Sequence, residues 1–164
     1  MIVLRAISAR SAEALLAGRP PDDVVVAPDH PTEFSAGVAR SVGNESALGP
    51  LFVHRASDDV VVGEIGAGFV APGTVEVGYA LVASCWGLGY ATEALRLLVA
   101  RARELPEVAR ILAHAPLDRS ASGRVLEKAG FTLMGEEEDD DEGTPIRVNR
   151  WELVLVANRT GRPR

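Results

Sequence analysis

Residues 76 to 94 read Glu76-Val77-Gly78-Tyr79-Ala80-Leu81-Val82-Ala83-Ser84-Cys85-Trp86-Gly87-Leu88-Gly89-Tyr90-Ala91-Thr92-Glu93-Ala94. An extended run enters a glycine-rich turn, and the turn opens a long helix. This order suits an anion. The first backbone N–H groups of a helix have no internal partner, its dipole is positive there, and glycines let a phosphate reach the backbone. A plain tight turn uses the same glycines, so the turn alone does not decide between ligand and structure. A dinucleotide fingerprint fits poorly, because Gly87-x-Gly89-x-x-Thr92 lacks the third glycine. No parallel βαβ unit with an acid about twenty residues on is evident either.

Other reactive side chains are scattered. His30, His54 and His114 sit one per segment, without metal-ligand spacing. Cys85 has no His or Asp close in sequence and reads as a structural thiol. Seven acids, Glu136 to Glu142, are consecutive, and without them the net charge of −6 becomes +1. The run reads as a solvated loop, or as a local field that attracts a cationic acceptor such as a polyamine, an aminoglycoside or a basic peptide terminus.

Two linked motifs resemble the GNAT acetyltransferase superfamily, in particular its ribosomal-protein N-acetyltransferase-like (Rim-type) branch. The acyl-CoA loop of that family is written Q/R-x-x-G-x-G/A. Here the matching stretch is Trp86-Gly87-Leu88-Gly89-Tyr90-Ala91, followed by Thr92-Glu93-Ala94. The second motif, N-x-x-S before a helix that ends in Gly-Phe, is matched by Arg119-Ser120-Ala121-Ser122 and the run Val125 to Phe131. The resemblance covers residues 48 to 156 well and the first 47 weakly. Trp86 stands where Gln or Arg is usual, and Arg119 replaces the motif's Asn.

This resemblance implies a GNAT-like mixed, mainly antiparallel sheet of about seven strands with flanking helices. It implies transfer of an acetyl group from acetyl-CoA to a primary amine, by direct attack in a ternary complex. The cofactor residues it implies are Leu81 and Val82 beside the thioester, the loop Trp86, Gly87, Leu88, Gly89, Tyr90, Ala91 and Thr92, and Arg119 and Ser122 of the second motif. Trp86 covers the cofactor or packs as an ordinary aromatic. Arg119 pairs with a phosphate or with the acidic run. An alkyl ammonium has a pKa of about 10 and must lose a proton before it attacks. Glu76 is the first candidate base, because alternation sets Glu76, Gly78, Ala80 and Val82 on one face of a strand. Glu64 on the neighbouring strand and a water relay are the alternatives. Some relatives use a tyrosine in the second motif's helix as acid; Leu126 stands there here. The acceptor implied is a small-molecule amine or a peptide N-terminus. A non-catalytic acyl-CoA sensor on the same fold, or a nucleotide-binding regulatory domain, are the competing readings.

The elements that position these residues follow from periodicity and turn residues. Ile2 to Ile7 reads as a strand and Ser8 or Ser11 as the cap of a short helix. Thr32 to Val42 reads as a second helix, capped by Thr32, with Phe34 and Val38 on one face. Leu51 to Arg55, Val60 to Val70 and Thr74 to Val82 form a meander of strands. Ala91, Ala94, Leu95, Leu98, Val99, Ala102 and Leu105 recur at helical period, so Tyr90 to Leu105 is an amphipathic helix. Val108 to Ala115 is a strand and Ser120 to Ala129 a helix with Gly130 after its end. Phe131 to Gly135 and Arg147 to Val156 are the last strands, with Val148, Trp151, Leu153 and Leu155 directed to the core. The mixture of strands and helices defines an α/β class.

The 164 residues suit one domain, read as residues 1–157 with a frayed tail over 158–164. An apolar fraction of 47% excludes a disordered chain. No basic block occurs outside the short tail, so no nucleic-acid partner is expected. One cysteine suggests a reducing compartment. The longest uncharged stretch, Val77 to Thr92, has 16 residues, short of the roughly 20 that a membrane span needs. A soluble cytoplasmic protein with no membrane partner is expected. Oligomeric state is not readable, and a dimer stays open.

Overall fold

The computed structural model describes residues 1–43, 46–117 and 120–155, with the Ser120 side chain left aside. In chain order the described elements are β1 (Ile2–Ala6), α1 (Ala9–Leu16), α2 (Ser35–Ala39), β2 (Leu51–Arg55), β3 (Val60–Ala71) and β4 (Thr74–Leu81). A 3₁₀ turn (Ala83–Cys85), α3 (Tyr90–Arg103), β5 (Arg110–Pro116), α4 (Ser120–Lys128), β6 (Thr132–Asp141) and β7 (Thr144–Val154) follow. The strands form one sheet in the order β1-β2-β3-β4-β5-β7-β6. β4 and β5 run parallel, while β1–β2, β2–β3, β5–β7 and β6–β7 are antiparallel. This is the mixed, mainly antiparallel seven-stranded architecture that the motifs imply. No described helix is long and apolar enough to cross a membrane.

Contacts group the chain into two compact units. One comprises Met1–Gly68 and Gly78–Ala102; the other comprises Phe69–Val77 and the chain from Arg103 on. In the first, Ile7, Ala12, Leu15, Ala39, Phe52 and Val61 make a core cluster, with Val24, Val26, Val38 and Val42 packed against it. Ser8 caps α1 by accepting the Ser11 N–H at 2.9 Å, the bond that a serine in this position supplies. The helical period of α3 is realised: Ala94, Leu95, Leu98, Val99 and Ala102 are all buried. Fully burying a leucine contributes roughly 1.5–3 kcal/mol, so Leu95 and Leu98 hold this helix in place. Arg101 ties α3 to β1 through the Leu4 carbonyl at 3.1 Å.

In the second unit, Ile111, Ala113 and Ala115 of β5, Leu126 of α4, Phe131, and Val148 and Trp151 of β7 are buried. Gly130 takes φ +95°, which ends α4, and the Phe131 N–H then returns to the Leu126 carbonyl at 3.0 Å. This is the glycine stop read from the sequence.

Three expectations are corrected. The second helix is shorter than 32–42, because the Thr32 hydroxyl accepts the nearby Phe34 N–H at 3.2 Å and forms a local turn instead of capping a helix. Phe34 is 46% exposed, so only Val38 of that pair joins the core. The acidic run is not a loop. Glu136 to Asp141 belong to β6, paired residue by residue with β7 from Glu136↔Asn149 to Asp141↔Thr144. Glu142 and Gly143 both take positive φ, 52° and 87°, the signature of a two-residue hairpin turn. The strand survives its charge because Glu137 and Asp139 are half-buried on one face while Glu136, Glu138 and Asp140 face out on the other. Arg147 and Arg150 on the partner strand answer Glu136 and Glu137, each at 3.4 Å. The expected tail, residues 158–164, lies outside the described residues.

Candidate active site

The glycine turn belongs to the first unit. Gly87 and Gly89 take φ +77° and +83°, and the space that a Cβ would fill is empty at both. These values are costly for a side chain. Among the described residues, no hydrogen bond is donated by the backbone N–H groups of residues 87 to 92; the first to find a partner is Glu93, to the Gly89 carbonyl at 3.1 Å. Open N–H groups at the start of a 14-residue helix form a cradle that fits a pyrophosphate. Glu93 would oppose an anion there, but its carboxylate is drawn to β1. It accepts the Ile2 N–H at 2.8 Å and meets the N-terminal ammonium at 3.6 Å.

The approach to the turn is fastened on two sides. Asp29 accepts both the Ser84 N–H and the Ser84 hydroxyl, at 2.9 and 2.7 Å. These bonds hold its carboxyl below the usual range. The Trp86 indole N–H donates to the Leu81 carbonyl at 2.9 Å, while 68% of Trp86 is exposed. Trp86 is therefore laid over the end of β4 as an open ring rather than packed in the core. The Val82 N–H donates to the Val62 carbonyl at 2.9 Å, so it is committed to the sheet. Leu88 is exposed, Tyr90 and Ala91 are half-buried and Thr92 is buried. Ser122 is half-buried on α4. Arg119 lies outside the described residues.

Glu76 belongs to the second unit, on β4 between the buried Val75 and Val77. Alternation turns its carboxylate to the opposite face, where 37% of the side chain is exposed. His114 of β5 meets it there. Its Nδ1 is 3.2 Å from Glu76 Oε2, and its Nε2 makes a short hydrogen bond to Glu137 Oε1. Asp139 Oδ2 stands 3.8 Å from Nδ1. Burial lowers the His114 pKa, but the bond to Glu137, the charges of Glu76 and Asp139 and the bond to Glu76 outweigh it, so the net shift is upward. The same bond to His114, aided by Arg150, lowers Glu137. Spacing of histidines alone did not reveal this cluster. The available signal was the alternation of acids after Gly135, which sets Glu137 and Asp139 on one face.

The shifts carry a sign for stability. A raised histidine stabilises below its unfolded pKa of 6.5, and that contribution fades as pH rises through the folded value. A lowered glutamate stabilises above 4.5, and that contribution fades as pH falls through the folded value. Thermal melts of wild type and Glu137→Gln are therefore expected to differ most between about pH 5 and 6. A difference in Tm that stays constant from pH 4 to 9 would contradict the pairing.

Glu64 is removed from the surface. Glu64 and His30 side chains are 0% exposed and 2.7 Å apart, and the Ser35 hydroxyl donates to the same oxygen at 2.7 Å. A fully enclosed carboxylate inside this network is a core element, not a base that a substrate reaches. The Tyr79 phenol is buried with no described partner, and burial pushes its pKa up to about 12. Cys85 is buried, its Sγ 3.9 Å from Arg55 Nη1. Leu126, at the family's tyrosine position, is buried.

Residues 2–132 match the family model of the acetyltransferase (GNAT) domain, and the chain belongs to the GNAT acetyltransferase family. It is an acyl-CoA N-acetyltransferase, and acetyl-CoA is its cosubstrate. Solved structures share the fold at low identity. The ribosomal-protein alpha-N-acetyltransferase RimL superposes with a TM-score of 0.69 at 18% identity, covering 94% of this chain and 93% of that one. A chimeric spermidine N-acetyltransferase, SpeG, from Vibrio cholerae gives 0.69 at 14% identity, covering 98% and 99%. YncA, from Salmonella typhimurium, was solved with acetyl-CoA and gives 0.68 at 16% identity, covering 95% of each chain. No curated protein sequence matches the chain significantly.

Proposed function

We propose that the protein moves an acetyl group from acetyl-CoA to a primary amine by direct attack in a ternary complex, with Glu76 as base. The observation that carries this reading is the half-exposed Glu76 carboxylate, on the strand that ends at the glycine turn and bonded to His114. Bound acetyl-CoA supplies an activated acyl carbon. The backbone of Trp86, Gly87, Leu88, Gly89, Tyr90, Ala91 and Thr92 holds the pyrophosphate, Ser122 serves the pantetheine arm, and Arg119 is assigned to a phosphate or to the acidic run. Leu81 is the donor assigned to the thioester oxygen, since Val82 has spent its N–H on Val62 and remains as a wall. Glu76 takes a proton from the ammonium, and the freed nitrogen attacks. We read residues 1–157 as one acetyltransferase domain, supported by a family match running from residue 2 to 132, and place the protein in the cytoplasm without nucleic-acid or membrane partners.

The acceptor we propose is a cationic amine, either small-molecule or peptide N-terminal. Glu76, Glu137 and Asp139 present carboxylates on one face, and a cation is drawn to such a field. Calorimetry with acetyl-CoA, followed by thiol release over a panel of polyamines, aminoglycosides and peptides, tests the reading. Binding without release for any acceptor supports a non-catalytic sensor instead. Replacing Glu136, Glu138 and Asp140 by Gln, Gln and Asn is expected to raise KM for a polycationic acceptor about threefold or more and to flatten its salt dependence. Acceptor kinetics that do not move would reduce these three charges to solvation of the strand.

Gly89→Val tests the cofactor loop. A side chain at φ +83° costs about 1–2 kcal/mol, and relief of that strain turns the N–H groups away from the phosphate. Acetyl-CoA affinity is expected to fall about tenfold. Retained affinity would contradict the placement of the pyrophosphate.

A further inference from the structure

We propose that His114 and Glu137 form a relay that carries the acceptor's proton from Glu76 to solvent. The inference rests on the reading of Glu76 as base and deepens it. An incidental surface ion pair needs one contact. Here the two ring nitrogens reach two different carboxylates on two different strands: Nδ1 to Glu76 Oε2 of β4 and Nε2 to Glu137 Oε1 of β6. The imidazole side chain is 16% exposed, whereas Glu137 is 34% exposed. Both carboxylates are part-exposed, Glu76 at 37% and Glu137 at 34%, so the exit through the ring matters when a bound acceptor covers Glu76 and leaves Glu137 to water. The charged groups around it are Glu76 on β4, Glu137 and Asp139 on β6, and Arg150 on β7. Arg150 Nη1 lies 3.4 Å from Glu137 Oε2, and Arg150 Nε is held by Glu152 at 2.6 Å. Arg150 lies directly across from His114 in the β5–β7 register. It steadies Glu137 in the orientation that accepts from Nε2.

The steps balance. The ammonium gives one proton to Glu76, its nitrogen forms the N–C bond, and the C–S bond breaks with its electron pair leaving on sulfur. The second proton shed as the amide forms neutralises that thiolate. The proton on Glu76 passes to Nδ1 of His114 as the Nε2 proton passes to Glu137 and then to water. One proton is released for each ammonium acetylated. His114 and Glu137 are positioning residues, because neither touches the reacting atoms. The transfer uses the neutral ring with its proton on Nε2, so the upward shift of His114 raises the pH above which the relay runs.

The test has two arms on the full chain. In the first, the imidazoles are labelled with ¹⁵N and titrated by NMR. His114 is expected to titrate above the ordinary 6.5, and Glu76→Gln and Glu137→Gln are each expected to lower its midpoint. A midpoint that neither variant moves overturns the relay, whatever the acceptor. In the second arm, spermidine, kanamycin and a peptide with a free N-terminus serve as acceptors. Glu137→Gln is expected to lower kcat about tenfold or more with acetyl-CoA KM unchanged and the pH–rate profile displaced, and Glu137→Asp is expected to recover part of the loss. An unchanged kcat and pH profile sinks the relay and leaves acetyl transfer standing. Acetyl-CoA binding with no turnover of any acceptor by wild type removes Glu76 as base, and the relay with it.

Discussion

Glu76→Gln is expected to lower kcat by about 100-fold or more while acetyl-CoA binds as it does to wild type. The size follows from the acceptor. An alkyl amine with a pKa of about 10 is neutral in roughly one molecule per thousand at pH 7. An enzyme without a base must wait for that fraction. Glutamine keeps the shape of the side chain and can still hydrogen-bond to His114 Nδ1, so the strand and its neighbour are preserved while proton uptake is lost. The defect should shrink as pH rises and the amine deprotonates in solution. Acetyl-CoA affinity should hold, because the residues assigned to the pyrophosphate begin at Trp86. A stopped-assay pH profile with calorimetric acetyl-CoA binding checks both halves. Unchanged turnover at pH 7 would assign the base elsewhere, to an ordered water, since Glu64 is enclosed in the core.

The second large effect is on stability. Gly63 lies in β3 where a Cβ would stand 2.2 Å from the Ala80 carbonyl oxygen and 2.9 Å from the Leu81 Cα. Both obstacles are backbone, so no side-chain rotation relieves the clash. Gly63→Ala must push the end of β4 away from β3 and strain the bond from the Val82 N–H to the Val62 carbonyl. Overpacking of this kind costs about 1–3 kcal/mol, and a backbone obstacle puts it at the upper end. A Tm lowered by roughly 6–12 °C is expected for a chain of this size. Because Leu81 and Trp86 move with that strand end, KM for acetyl-CoA should rise as well. Wild-type Tm and KM in Gly63→Ala would show that the strands part here without cost.

The parts of the molecule that the sequence disclosed are local. Helix α3 was legible because its apolar residues repeat over four turns, and the glycine loop because positive φ demands glycine. Ser8 and Gly130 marked helix ends by chemistry that acts within a few residues. What stayed hidden depends on contacts between distant segments. Glu64 and Glu76 look equivalent in sequence, each beside glycine or valine in a strand, yet one is sealed against His30 and Ser35 and the other is half open to His114. Thirty-eight residues separate His114 from Glu76, and no spacing rule spans that. Seven successive acids contradict strand propensity, so β6 is legible only as far as Gly135 and its acidic part reads as a loop; its partner strand and the arginines on it override the preference.

β6 is the last strand of the sheet, with β7 on one side only. Such a strand offers unpaired backbone groups to any passing chain, and charge on it discourages that docking. The outward Glu136, Glu138 and Asp140 thus also act as a guard against self-association. A variant stripped of them keeps Glu137, Asp139 and Asp141 but presents a less charged, hydrogen-bond-hungry margin beside Leu133 and Met134, which are 49% and 57% exposed. Such a variant should lose solubility at high concentration even where its individual molecules fold as before. Colloidal behaviour is thus a property of this strand that shows only when many copies share a solution.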